Sequence, residues 1–204
     1  MTSKKTHWAQ AMARALVLCL PLMPIGVKAQ GETQPQGKTY HGDGIDNVLE
    51  YIPLATTLTL KAAGVEGASS WKRLAVNGVL SMGITAGTTY VMKHTIHDMR
   101  PDRTDNRAFP SGHTAVAFAG ARVLDKEYRH LSPWISVGGY AMATLTAIDR
   151  VRRNRHHWDD VVVGAALGVA ATEAGYWLGD KLTGERSRWH LGTDGQTLSM
   201  RIDL

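Results

Sequence analysis

Apolar residues recur along this chain in long runs separated by shorter polar segments, a pattern typical of a helical protein. The first run, 45–60, has roughly helical spacing, and Pro53 within it should kink or break the helix. Further apolar runs predict the remaining helices, at 74–92, at 112–124, at 134–148 and at 161–182. The pattern therefore predicts the all-α fold class, as a helical bundle of about five to six helices.

The polar segments between these runs predict the connections. Residues 61–70 look like a loop, and residues 125–133 look like a polar connector that ends at Pro133, a residue well placed to start a helix. Within the last apolar run, Gly164 and Gly168 are four residues apart. Small residues at this spacing allow two helices to approach closely, so we expect a tight helix contact there.

The two ends of the chain differ from the bundle. Residues 1–29 have two lysines, a short apolar region and a small-x-small site, which predicts a signal peptide or an N-terminal membrane anchor. Residues 30–44 are polar and Gly-rich, which predicts a flexible lead-in to a helical domain at 45–182. In the tail, 183–204, a turn signal at Asp194-Gly195 followed by alternation predicts a short β-hairpin.

Composition narrows the class of protein. The chain has 204 residues, of which 44% are hydrophobic, so it can build a core. Its mean hydropathy of −0.18 is low for a protein made mostly of membrane spans. The net charge of +5 favours an anionic partner such as a phosphate, a nucleic acid or an acidic lipid. The single cysteine lies in the leader segment, so a mature protein without the leader would have no thiol and no disulfide, which suits an envelope compartment.

The most heavily charged stretch, 148–164, stands between two apolar runs and carries four arginines, two histidines and two further aspartates after Asp149. A basic run of this kind is often only a solvated surface. If the segment is helical, however, His156 and Asp160 share one face, and the carboxylate can orient the imidazole as a base or nucleophile.

Two upstream clusters complete a possible anion site. Lys93 and Arg100 follow one apolar run, and a Ser-Gly-His sequence at 111–113 precedes another. With Arg150, these residues offer positive charge and fork-shaped donors, while a helix N-terminus at Ser111 would add free amides. The combination suits a tetrahedral oxyanion such as phosphate.

The three motifs, in order, resemble those of the type 2 phosphatidic acid phosphatase (PAP2) superfamily, which includes bacterial acid phosphatases and vanadium haloperoxidases. The motifs stand here as KHTIHDMRP from Lys93, PSGH from Pro110 and RVRRNRHHWDD from Arg150. They span residues 93–160. The apolar helices favour a bacterial envelope lipid phosphatase among the members of this superfamily.

The resemblance implies a role for each motif residue. His156 would attack phosphorus and form a phosphohistidine, Asp160 would hold its ring, and His113 would protonate the leaving oxygen. The substrate phosphate would be bound by Lys93, Arg100, Ser111, Gly112 and Arg150. No metal and no cofactor is required, because the cations stabilise the developing charge.

Two positions need comment. The superfamily usually has serine where this chain has Asp149, and a carboxylate aimed at phosphate would oppose binding. We therefore expect Asp149 to face away and to pair with a neighbouring arginine. His157 would lie about 100° round a helix from His156, so we expect a structural or rim position for it.

The substrate and the location follow from the helices only in part. If the long runs cross a bilayer, all three motifs fall on one side, which a cleaved signal would make the periplasmic one. We expect a phosphatase acting on a lipid phosphomonoester or pyrophosphate, membrane-embedded or membrane-associated in a bacterial envelope. The alternative location is the soluble periplasm, as for a non-specific acid phosphatase.

Two other functions remain open. A vanadium-dependent haloperoxidase shares the same anion-binding residues, although this chain is small for that role. A non-catalytic module could instead bind an anion through the basic run at 150–157. We expect no nucleic-acid partner, and the sequence leaves the oligomeric state undetermined.

Overall fold

The computed structural model describes residues 45–185 and the backbone of two later strands. The elements are α1 (Asp46–Leu49), α2 (Ile52–Ala62), α3 (Trp71–Thr95), α4 (Gly112–Tyr128), α5 (Pro133–Arg152), α6 (Trp158–Thr183), β1 (Trp189–Thr193) and β2 (Leu198–Ile202). The predicted all-α class is confirmed. The strands pair in antiparallel register, as the hairpin prediction requires. The predictions for 1–29, for 30–44 and for the turn at 194–195 fall outside the described residues.

Serine side chains fix the start of three long helices. The hydroxyl of Ser70 accepts a hydrogen bond from the backbone of Arg73 at the start of α3, and Ser111 and Ser132 act in the same way for α4 and α5. Each serine satisfies an amide that a helix N-terminus otherwise leaves free. At the other end of the bundle, Gly184 ends α6 with a φ of 69°, in the left-handed region that glycine tolerates.

The predicted break near Pro53 is present. The run 45–60 is divided into α1 and α2 at residues 50–51, and Pro53 is the second residue of α2, where its missing amide proton costs nothing. One predicted boundary is wrong, because α4 continues beyond Leu124 to Tyr128, through part of the predicted polar connector. The reason is that Asp125 and Glu127 are buried and paired, so their polarity did not mark a surface loop.

Helices α4 and α6 run parallel and pack in close contact through glycines. A Cβ added at Gly164 would lie 2.6 Å from the carbonyl oxygen of Ser111, and one at Gly168 would lie 2.8 Å from the amide nitrogen of Ala119. Because both partner numbers rise together, the two helices point the same way. The predicted tight contact at these two glycines is therefore present, and α4 is the neighbour.

Helix α3 packs against α6 in the opposite direction. A Cβ at Gly175 would lie 2.6 Å from the amide nitrogen of Ser81, and Gly179 lies against Asn77. The side chains between the helices are mostly small. Buried hydroxyls along α3 bond to carbonyls four residues earlier in the same helix, at Ser81, Thr85 and Thr89. Their polar groups are thus satisfied without a partner helix.

The end of the bundle where α3 begins and α6 ends is held by buried polar contacts. Arg73 forms an ion pair with Asp180 at 2.8 Å, and Asn77 donates to the same carboxylate. Glu127, which is fully buried, accepts hydrogen bonds from Ser69 and Tyr176. These contacts join α3, α4 and α6 at the end of the bundle opposite the motifs.

Candidate active site

The three sequence motifs meet at the other end of the bundle, where α3 and α5 end and α4 and α6 begin. Lys93 lies in the last turn of α3, and its Cε would be 3.7 Å from a Cβ added at Gly112. The amide of Ser111 donates to the carbonyl of Asp160 at 3.0 Å. The first motif thus touches the second, and the second touches the third.

His156 is held at the centre of this end of the bundle. It is only 2% exposed, its Nδ1 lies 3.4 Å from an oxygen of Asp160, and its Nε2 lies 3.5 Å from a guanidinium nitrogen of Arg150. The expectation that one helix carries both His156 and Asp160 is wrong. The loop 153–157 separates α5 from α6, so His156 precedes the helix whose first turn contains Asp160.

The local fold nevertheless brings the pair together. His157 occupies the N-cap position of α6, and its amide donates to Asp160 at 2.8 Å. The turn before the cap directs the ring of His156 towards the same carboxylate. The predicted pairing of His156 with Asp160 is therefore observed, but a helix cap rather than helical periodicity produces it.

Burial governs the charge of both partners. Burial, together with the nearby Arg150, lowers the pKa of His156 to about 4 against the opposing effect of Asp160. Burial alone would raise the pKa of Asp160, but hydrogen bonds from His156 and from the amide of His157 hold that pKa below its usual value. At neutral pH the pair is a neutral imidazole beside a carboxylate.

Two cations of the first motif border the site. Lys93 donates to the carbonyl of Arg107 at 2.9 Å, and burial, with the neighbouring Arg100, lowers its pKa to about 8. The guanidinium of Arg100 pairs with Asp105 at 2.8 Å and donates to the carbonyl of Arg155 at 3.3 Å. Both side chains are fixed in place by the segment that joins α3 to α4.

The third cation, Arg150, is 93% buried and pairs with a residue that the sequence analysis did not select. Its guanidinium bonds to the carboxylate of Asp46, in α1, which is fully buried. The same carboxylate accepts from Arg153 at 3.2 Å. Burial alone would raise the pKa of Asp46, yet the bond from Arg150 keeps it below its usual value.

His113 also contacts α1. Its Nε2 lies 2.9 Å from the amide oxygen of Asn47, 3.8 Å from Glu50 and 4.0 Å from Asp46. Burial, together with the charge of Arg150, lowers the pKa of His113 to about 4. Residues 46–50 therefore belong to the site.

A sequence signal for α1 did exist. Asp46 and Glu50 interrupt the apolar pattern of 45–60 four residues apart, a spacing that places them on one helix face. The structure buries these two acids and leaves Ile45 and Val48 exposed by 63% and 65%. The face that the hydrophobic pattern predicted to be buried is thus the exposed one.

Asp149 lies where we expected it. Its carboxylate is mostly buried and pairs with Arg152 at 3.1 Å, one turn along α5, with Arg153 at 4.0 Å from its other oxygen. The acid that replaces the usual serine is thus neutralised by its own helix.

The rest of the basic run is also largely paired. Arg155 bonds to Asp102 at 2.9 Å, Arg153 to Asp46, and the 75% exposed side chain of Arg152 to Asp149. A run engaged in this way offers little free charge for a separate anion-binding surface.

One group of side chains could hold a cation. Single ligand atoms of Asp98, His157 and Asp160 lie within 4.8 Å of one another. The half-exposed ring of His157 is 3.9 Å from Asp98 and 3.6 Å from Asp160, so it stands at the rim of the site, as predicted. Because Asp160 also serves His156, a cation bound here would compete with that pairing.

Comparison with known proteins confirms the resemblance to the PAP2 superfamily. The PAP2 superfamily model matches residues 74–183. The chain is 39% identical over 165 residues to the lipid A 1-phosphatase of Porphyromonas gingivalis, covering 78% of this chain and 37% of that protein. It is 33% identical over 75 residues to lipid phosphate phosphatase 2 of Arabidopsis thaliana, covering 31% of this chain and 26% of that one.

The chain therefore spans well under half the length of both curated relatives. Among solved structures, that of Aquifex aeolicus LpxE superposes with a TM-score of 0.47 and 23% identity, over 64% of this chain and 82% of that one. The family match covers the helices that hold all three motifs. This chain belongs to the PAP2 superfamily.

Proposed function

We propose that this protein is a phosphatase that hydrolyses the phosphomonoester or pyrophosphate of a lipid through a phosphohistidine at His156. The observation that carries the proposal is the position of that ring between Asp160 and Arg150, at 3.4 Å and 3.5 Å. One ring nitrogen thus faces a carboxylate and the other faces a cation.

This arrangement suits a nucleophile. Asp160 accepts the Nδ1 proton and so leaves a lone pair on Nε2, the atom beside Arg150. A phosphate held by that guanidinium brings its phosphorus to the lone pair. The lowered pKa of His156 keeps the lone pair free of a proton at neutral pH.

The remaining charges suit the transition state. Lys93, Arg100 and Arg150 would bind the phosphoryl oxygens, and the amide of Gly112 at the start of α4 would add a donor. Ser111 is fully buried, and its hydroxyl bonds to Thr114 at 2.9 Å. These cations supply the charge that a metal ion provides in other phosphatases, so the proposed reaction needs none.

The outer surface of the bundle supports a lipid substrate. Between 74 and 92 and between 134 and 148 the chain carries no charged residue. Exposed apolar side chains lie along these helices, for example Val79 at 73%, Val137 at 53% and Leu145 at 50%. In water such a surface would be costly, whereas in a membrane it faces lipid.

Exposed aromatic residues mark both ends of this apolar surface. Trp71 and Tyr90 of α3 are 55% and 64% exposed, and Trp158 and Trp177 of α6 are 61% and 62% exposed. In each helix the two residues are nineteen positions apart, roughly 28 Å along the axis. That separation is close to the ~30 Å hydrocarbon thickness, and aromatic rings favour its two interfaces.

Among the described residues, one helix is long and apolar enough to span a membrane by composition alone, α6. Helix α4 is shorter, but it lies at the centre of the bundle and has its core alanines fully buried, so it need not meet lipid. We propose an envelope membrane protein in which residues 74–91, 134–148 and 161–178 contact lipid. The charged site then lies beyond these segments, on the periplasmic face.

The test is a substrate panel with the full chain in detergent. It should include lipid A, phosphatidic acid, phosphatidylglycerol phosphate, undecaprenyl pyrophosphate and p-nitrophenyl phosphate. Because its relative is named a lipid A 1-phosphatase, we expect release of phosphate from lipid A to be fastest. His156→Ala should abolish release from every substrate, and full activity in that variant would refute the proposal.

A second measurement separates the two locations. If the helices contact lipid, the protein should stay in the membrane fraction after an alkaline carbonate wash. Release into the wash, with a preference for soluble esters over lipids, would instead identify a soluble periplasmic acid phosphatase. The Arg152→Ala variant serves as a control. Its exposed side chain pairs with Asp149 and not with a predicted phosphate-binding residue, so the variant should keep both the membrane association and the substrate preference of the wild type.

A further inference from the structure

Helix α1 and Glu50, the residue that caps its C-terminus, send polar side chains into the site although none of them belongs to the three motifs. Asp46 is fully buried, and Glu50 is 6% exposed. Asp46 holds Arg150 and Arg153, and Asn47 contacts His113, which leaves Glu50 without an evident task. A buried carboxyl group is costly unless a neighbour uses it.

The group nearest to Glu50 that changes charge in the proposed reaction is His113. Their closest atoms, Oε1 and Nε2, are 3.8 Å apart. Asn47 accepts the Nε2 proton at 2.9 Å, so the Nδ1 atom is the ring nitrogen left to exchange a proton with the substrate.

The charges around this pair favour a neutral imidazole. His113 faces Arg150, Arg100 and His156, all of which oppose a positive ring, and Asp46, which favours one. Its pKa is lowered to about 4, mainly by burial. Burial raises the pKa of Glu50 to about 7, against the bond from Tyr51 and the charge of Arg150, while Asp46 acts in the same direction as burial.

We propose that Glu50 is a positioning residue for the general acid: Glu50 and His113 hold one proton between them, and the ionised carboxylate stabilises the imidazolium that protonates the leaving oxygen. This inference rests on the proposed function. A bound phosphate dianion favours the imidazolium, so His113 gains a proton at Nδ1 when substrate binds. The imidazolium, 3.8 Å from Glu50, in turn favours the ionised carboxylate, and Glu50 releases its proton to solvent. The total on the pair is unchanged.

The subsequent steps restore the starting state. As the bond between phosphorus and the leaving oxygen breaks, His113 gives its Nδ1 proton to that oxygen and becomes neutral. It then takes a proton from the water that attacks the phosphohistidine. When phosphate leaves, His113 returns that proton to solvent and Glu50 takes one up.

Leaving groups of different acidity test this assignment. An alkyl or lipid oxygen needs a proton as it departs, whereas p-nitrophenolate leaves readily without one. In Glu50→Gln we expect kcat to fall by about tenfold or more for a lipid phosphate and by less than about threefold for p-nitrophenyl phosphate. The alkaline limb of kcat for the lipid substrate should also move about one pH unit towards acid, because the neutral amide no longer stabilises the imidazolium.

Control variants make the result specific. Glu66→Gln removes an exposed carboxyl group from the opposite end of the bundle and should leave kcat unchanged for both substrates. Tyr51→Phe, at a 55% exposed position, removes the hydrogen bond that favours ionised Glu50 and should give a smaller loss of the same selectivity. It provides the readout if Glu50→Gln folds poorly.

A double-mutant cycle with His113→Asn completes the test. If Glu50 acts through the ring, adding Glu50→Gln to that variant should cause no further loss on the lipid substrate. Equal losses on both substrates, an unshifted alkaline limb or additive losses would overturn the inference. If one of these results is found while His156→Ala abolishes activity, the role of Glu50 is refuted and the proposed function stands.

Discussion

Substituting Gly168 by alanine should separate α4 from α6, because no space for a methyl group exists between them. The added Cβ would lie 2.8 Å from the amide nitrogen of Ala119 and closer still to the carbonyl oxygen of Ala115. Ordinary contact begins at 3.4 Å, and both atoms belong to helix backbone. The amide of Ala119 would have to move away by 0.6 Å to reach ordinary contact, and the carbonyl of Ala115 by more.

The expected cost is large for one methyl group. Overpacking a close-packed core costs typically about 1–3 kcal/mol, and a backbone clash puts this site at the upper end, near 3 kcal/mol. For a domain of this size, that change lowers the apparent Tm by roughly 6–12 °C. Because α4 carries His113 and α6 carries Asp160, activity should fall as well.

The assay is thermal unfolding of the detergent-purified protein, followed by tryptophan fluorescence, with initial rates measured well below the transition. Gly83→Ala is the matched control, since a Cβ there meets nothing within 4 Å in the middle of an exposed helix face. It should leave Tm unchanged or raise it slightly, because alanine favours the helix. A Gly168→Ala protein with wild-type Tm and activity would refute the close contact.

Three further predictions concern charge in the site. Asp160→Asn should lower kcat about 10³-fold with little change in KM, because an amide no longer selects the productive tautomer of His156; steady-state kinetics will show it. Asp149→Ser should change the same rates by less than about threefold, because that carboxylate pairs with the exposed Arg152 rather than with the anion site. Stability should depend on pH in two opposing ways. His113 and His156 have pKa values lowered to about 4, so the protein loses the stability they contribute as pH falls from about 6.5. Glu50 has its pKa raised to about 7, so the protein loses the stability contributed by Glu50 as pH rises from about 4.5. Glu50→Gln removes the second effect, so Tm should fall more steeply between pH 7 and pH 5 than in the wild type; an equal or smaller fall would contradict this.

Hydrophobic periodicity located the long helices because their apolar runs end at charged residues. It placed the end of α4 wrongly because it treats polarity as exposure. Asp125 is buried through its ion pair with Arg122, and Glu127 through hydrogen bonds from Ser69 and Tyr176. The partners of Glu127 are about fifty positions or more away along the chain, so the local pattern contains no trace of them. Arg122 is only three residues from Asp125, but a pair at this spacing is equally typical of an exposed helix face.

In the candidate site, too, the sequence predicted the residues that belong to motifs and missed those whose partners are distant in the chain. Motif spacing selected residues that the structure brings to one end of the bundle, although it assumed a helix around His156 where a loop and an N-cap are found. It did not select Asp46 or Glu50, whose partners are about sixty to a hundred positions away along the chain. Only the packing of α1 against α4 and α5 brings them to Arg150 and His113.

The position of α1 has a consequence for where the functional unit begins. The family match starts at residue 74, whereas the carboxylate that holds Arg150 stands at residue 46. A fragment cut to the matched segment would retain every motif residue and yet leave that buried guanidinium without its counter-ion. The start of the family match is therefore not the start of an intact site, because the ion pair with Asp46 extends the site at least 28 residues further towards the N-terminus.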